Sequence, residues 1–115
     1  MYIKVKNLIG ERCIDVNNGK KLYNTIYPSL ERGKTVYLDF NNVFIFSSPF
    51  LNFSIGQLLK NITIDNLNRL LKIKNLEKHW IKVINNVIEN SKEYYSNPEI
   101  KKSVDEALIK RLEEC

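Results

Sequence analysis

A chain of 115 residues has room for one domain with a single compact core. Hydrophobic residues at 43% and charged residues at 27% are ordinary for a globular protein, and no run approaches the ~18 apolar residues of a membrane span. The net charge of +5 invites a nucleic-acid reading, but the lysines are scattered over every segment and arginine, which forks phosphates and reads guanine edges, is scarce, so nucleic acid is not the expected partner.

In chain order, Met1 to Lys6 alternates apolar and charged residues without the apolar block of a signal peptide, and a cytoplasmic location is expected. Tyr2, Ile3, Val5 and Leu8 suggest a first strand. The chain then turns at Ile9-Gly10-Glu11, and Arg12 to Asp15 is expected to return as its hairpin partner. Asp15 and Asn17 are candidate caps for a helix beginning near Asn18, with Leu22, Ile26 and Leu30 four apart on one face beside Tyr23 and Tyr27. Pro28 removes a backbone donor and clashes one turn back, so a kink or restart is expected there, and a stop at Gly33.

Lys34 to Phe40 is β-branched and aromatic and reads as a buried interior strand, flanked by the strands near Met1 to Leu8 and near Leu70 to Ile73. Asn41-Asn42 forms a turn and Val43 to Phe46 an apolar link. Ser48-Pro49 then gives a helix start with Ser48 as N-cap and Pro49 at the first helical position. Phe50, Leu51, Ile55, Leu58 and Leu59 make its buried stripe, and Gly56 inside it implies close backbone packing. A further strand at Leu70 to Lys74 precedes a helix starting near Leu76 that carries Trp80, Val83, Ile84, Val87 and Ile88. Asn97-Pro98 repeats the cap-and-proline start, and residues 97–115 read as a C-terminal amphipathic helix offering a partner or oligomer contact. Strands alternating with helices indicate a single α/β domain over residues 1–115, a small mixed sheet with packed helices.

Enzymatic constellations are nearly absent from the sequence. His79 is the only histidine, with no second ligand at metal spacing, and the four glycines are isolated, so no phosphate-cradling loop is present. Cys13 and Cys115 lie at opposite ends and read as reduced thiols. No cofactor, metal or catalytic residue is expected. Asp39 closes a strand, where α/β folds place functional groups, but it reads first as a turn former bonding the Asn41-Asn42 backbone. Ser47-Ser48 is the best functional candidate, because hydroxyls at a helix start either cap the helix or accept a phosphate, and a phosphate adds nearly two negative charges to whatever surface it joins.

Strand, turn, serine pair at a helix start, then a helix with an internal glycine is similar to STAS domains, those of sulfate transporters and anti-sigma factor antagonists. Leu38-Asp39-Phe40, Val43, Ile45, Ser47-Ser48, Phe50 and Gly56 resemble the pattern of a compact bacterial STAS-like family of unknown function. The resemblance implies a regulatory protein–protein interaction module, itself no enzyme, whose partner is a histidine-kinase-like ATPase. It further implies Ser47 or Ser48 as phosphate acceptor, with Ser48 expected as the cap and Ser47 as the acceptor, and partner contacts from Asp39, Asn41, Asn42, Pro49 and Asn52. Pro49 and the run Leu51-Asn52-Phe53 depart from the small and acidic residues usual after the pair, which implies either a more apolar partner surface or a different partner. Two other readings stay open: a nucleic-acid-binding module, supported by charge, and a structural or accessory subunit docking through residues 97–115.

Overall fold

The computed structural model describes residues 1–96. The helix proposed for residues 97–115 lies outside them. The element order is β1 (Tyr2–Lys4), α1 (Val5–Leu8), β2 (Arg12–Cys13), α2 (Val16–Glu31), β3 (Val36–Asp39), β4 (Ile45–Phe46), α3 (Ser48–Ser54), a 3-10 turn (Gly56–Lys60), α4 (Ile64–Leu70), β5 (Leu71–Lys74) and α5 (Lys78–Ser96).

β3 is the interior strand of a three-stranded sheet ordered β1-β3-β5, with both pairings parallel: Ile3 lies opposite Leu38, and Leu38 opposite Ile73. The period-2 pleat divides the sheet into two faces. Ile3, Val36, Leu38, Leu71 and Ile73 point into the core, which Leu22, Ile26, Phe50, Leu51, Ile55, Leu58 and Ile84 complete from the helices. Tyr2, Lys4, Tyr37, Asp39, Lys72 and Lys74 occupy the opposite face. The α/β class and the central position of β3 are as the sequence predicts.

The expected β1–β2 hairpin does not form. Val5 to Leu8 turns into one helical turn, burying Val5, and β2 pairs instead with β4, in parallel, as a separate two-stranded ribbon with Arg12 opposite Ile45 and Cys13 opposite Phe46. The sheets are therefore parallel throughout the described residues. The physical reason is inward anchoring: Cys13 is fully buried, and Phe46 packs edge-on against Phe40 at 5.3 Å and against Trp80 at 4.9 Å, which fixes the ribbon to the core through β4. A side-by-side hairpin with β1 offers Cys13 no such cover.

α2 begins where expected, with the Asp15 carboxylate accepting the Asn17 N–H at 3.0 Å. It runs unbroken through Pro28, with no restart. Pro28 and Asn24 are both exposed, so water can take the Asn24 carbonyl that the proline leaves unpaired. The helix stops at Gly33, whose N–H donates to the Leu30 carbonyl at 3.0 Å while the Lys34 N–H reaches Ser29 at 2.9 Å. α3 is shorter than the sequence suggests: it ends at Ser54, and the chain tightens into the 3-10 turn from Gly56. A Cβ on Gly56 would stand 2.6 Å from Ser91 Oγ and 3.4 Å from Val87 Cγ1, so α5 approaches the backbone here as the glycine implies. α4, capped by Thr63 accepting the Asn66 N–H at 3.2 Å, is an element the sequence reading misses. None of the described helices is long and apolar enough to cross a membrane.

Candidate partner-docking surface

β2 and β4 run side by side and each leads directly into a helix, so the starts of α2 and α3 emerge together at one end of the ribbon. The Ser47 N–H continues the ladder to the Cys13 carbonyl at 3.0 Å. Its hydroxyl then does two things: it accepts the Phe50 N–H at 3.1 Å and donates to the Ile14 carbonyl at 2.6 Å. Ser47 is thus the N-cap of α3 and a cross-link between the two helix starts.

This corrects the assignment within the serine pair. Ser48 is the first helical residue, Pro49 the second, and the cap is Ser47. Proline is still costless at the second position, because that N–H too lacks an intrahelical acceptor. The reason for the one-residue shift is the ladder bond to Cys13: it holds Ser47 extended, at φ −123° and ψ 155°, the backbone a cap requires. Ser47 is half-buried and its hydroxyl is committed; Ser48 is exposed and its hydroxyl makes no hydrogen bond to the described residues. By the same reasoning that singled out Ser47 from the sequence, the accessible hydroxyl is that of Ser48.

The segments that lead into the two helix starts carry exposed apolar side chains. With Cys13 and Phe46 turned inward, Phe44 is 66% exposed, Ile45 43% and Ile14 38%, and Pro49 is exposed as well. A lone exposed hydrophobic side chain is ordinary; here Ile45 in β4, with Phe44 just before it and Ile14 just after β2, gives three in the two segments that lead into α2 and α3. The sequence reading missed all three. Phe44, Ile45 and Phe46 are all apolar, so the sequence does not say which of them faces water; that depends on the pairing with β2.

The remaining candidate residues do not gather at one point. Asp39 is 6% exposed, at the C-terminal end of β3. Its Oδ2 accepts the Tyr2 hydroxyl at 2.6 Å, and its Oδ1 accepts the Asn75 amide at 2.8 Å and the Asn41 N–H at 2.9 Å. These bonds, that from Tyr2 first, then those from Asn75 and Asn41, hold its carboxyl below the usual carboxylate range, while the Tyr2 phenol is raised by the same contact. Asp39 thus bonds the turn backbone at Asn41, as the turn-former reading has it, while both of its oxygens are engaged within the fold. Asn41 and Asn42 are exposed in that turn, Asn42 at φ 63°. Asn52 is half-buried, its Oδ1 3.7 Å from where a Cβ on Gly56 would be, so it faces the 3-10 turn. His79 is exposed against the edge of Trp80, ring centroids 5.0 Å apart. Burial pushes the Cys13 thiol up to about 12. Among the described residues no group of three or more His, Cys, Asp or Glu side chains is placed to hold a metal ion.

A parallel sheet with helices on its apolar face and a serine pair opening a helix behind a strand defines a small α/β domain of STAS-like organisation. The family described as STAS-like domain of unknown function (DUF4325) matches residues 18–79, more than half of the chain, and the chain belongs to that family. The matched segment contains α2 from residue 18 onward, β3, β4, α3, α4 and β5, hence both serines and the exposed Phe44 and Ile45. No curated protein and no solved structure matches the chain.

Proposed function

We propose that this protein is a regulatory binding module, itself no enzyme, that docks a histidine-kinase-like ATPase through the β2–β4 ribbon and the start of α3, and is released when Ser48 is phosphorylated. One observation carries the reading: the Ser48 hydroxyl is exposed and uncommitted at the start of α3, next to Ser47, whose hydroxyl bonds Ile14, and three residues after the exposed Ile45. A partner seated on that surface removes it from water, at about 25 cal/mol for each Å² of apolar area. A phosphate on Ser48 brings about −1.5 to −2 charges to the rim of the same interface, where desolvating them opposes docking. Because Ser48 is not the cap, the modification leaves the α3 start intact, so the device changes binding without unfolding the domain. The likeness to anti-sigma factor antagonists supplies the class of partner, and the STAS-like family membership is consistent with it.

The test uses the tagged full chain as bait in extracts of its own cells. Wild type is expected to retain a kinase-like ATPase, and Ser48→Asp to lose it at unchanged melting temperature. Equal retention of the same partner by both chains overturns the switch, and a Phe44→Ser chain that binds as wild type does overturns the docking surface.

A further inference from the structure

The sheet face turned away from the helices is not used by the surface described above. The parallel register lines up two rows of side chains across the three strands: Tyr2, Tyr37 and Lys72 in one, Lys4, Asp39 and Lys74 in the other. Tyr2 is 56% exposed, and Lys4, Lys72 and Lys74 are exposed; Tyr37 is half-buried between them and Asp39 is buried, so the face is open along β1 and β5 and partly covered at β3. The two tyrosine rings lie 6.2 Å apart and within 27° of parallel, and Lys74 Nζ stands 5.6 Å from the centre of the Tyr37 ring. Lys72 Nζ bonds the Asn68 carbonyl at 3.3 Å, and none of the three lysines is ion-paired among the described residues. Asp39 is the single carboxylate of the set, and its hydrogen bond to the Tyr2 hydroxyl holds that ring in place.

From this arrangement we infer that the open sheet face binds single-stranded nucleic acid, bases stacking on Tyr2 and Tyr37 and phosphates following Lys4, Lys72 and Lys74. Strands about 4.8 Å apart and a two-residue repeat of about 6.7 Å make a platform some 10 Å by 7 Å, room for two bases. Aromatic rings on a flat sheet face, bordered by cations, bind unstacked bases with little regard to sequence. A duplex keeps its bases stacked on each other and cannot use the rings, and an acidic protein segment would use the lysines alone. The lysines look scattered because the chain visits β1, β3 and β5 at widely separated positions; the topology collects them.

Fluorescence anisotropy of a short labelled oligouridylate, with the matching oligothymidylate, duplex and polyglutamate as comparisons, tests the inference on the full chain. Three phosphate contacts give a slope of log affinity against log salt of about −2, falling to about −1 in Lys72→Gln/Lys74→Gln. Tyr2→Leu, which keeps an apolar side chain but no ring, is expected to weaken binding about tenfold, and Tyr2→Phe, which keeps the ring, to bind nearly as wild type does. Melting curves confirm that each variant is folded. Absence of binding at low salt, wild-type affinity in Tyr2→Leu, duplex bound as tightly as single strands, or full competition by polyglutamate each overturns the inference.

Discussion

A serine hydroxyl has one proton to give and lone pairs to offer, and at Ser47 both uses are taken: the Phe50 N–H is accepted and the Ile14 carbonyl is served. Ser47→Ala is therefore expected to lower stability by about 1 kcal/mol, and Ser48→Ala to stay within about 0.5 kcal/mol of wild type, in urea melts of both variants. The reverse order would mean that Ser48 is the cap. Asp39 gives a second expectation at this scale. Its carboxyl titrates below the usual range in the folded chain, so its contribution is complete above the unfolded value near pH 3.9 and is lost as pH falls through the lower folded value. Asp39→Asn should cost about 1–2 kcal/mol at neutral pH and lessen the fall in stability on acidification, read from melts between pH 7 and about pH 2. A variant that retains the full acid dependence would show that other carboxylates set it. The sequence marks both the serine pair and Asp39, and the turn bond to Asn41 is legible because it is local. The choice between Ser47 and Ser48 is not, since it depends on Cys13 and Ile14, more than thirty positions away.

Between elements, the least yielding close approach joins α2 and α3. A Cβ on Gly19 would lie 2.8 Å from the Phe50 carbonyl oxygen and 3.2 Å from Phe53 Cβ. The carbonyl is backbone and cannot turn aside, whereas the Ser91 hydroxyl facing Gly56 can change rotamer. Gly19→Ala is thus expected to destabilise by about 1–3 kcal/mol, more than Gly56→Ala, despite alanine's better helix propensity. Equal melting temperatures for the two variants would contradict this packing. The long amphipathic helices are the most legible elements: Leu22, Ile26 and Leu30 are buried as their spacing demands, and so are Ile84 and Val87. Short elements escape. α4 spans seven residues, too few for a fourfold stripe to stand out, and only the Thr63 cap with Asp65 in the first turn announces it. β2 and β4 are two residues each, and their parallel pairing is a long-range choice that local alternation misassigns to a hairpin.

At the scale of the molecule, the domain places two different surfaces on separate sets of strands: the apolar ribbon with Ser48 on β2 and β4, and the tyrosine–lysine face on β1, β3 and β5. The class and the interior position of β3 could be read from the sequence because its β-branched and aromatic residues, bounded by Gly33 and the Asn41-Asn42 turn, bury Val36, Leu38 and Phe40. The surfaces could not, because each is assembled from segments far apart in the chain. The central claim is that Ser48 alone of the serine pair is open to a kinase, and the most direct test is the site of phosphate after the chain is incubated with ATP and the partner recovered by pull-down. Fragment mass spectrometry should find a single phosphate on Ser48, with Ser47 unmodified. Phosphate on Ser47, or none on either serine, would contradict the account.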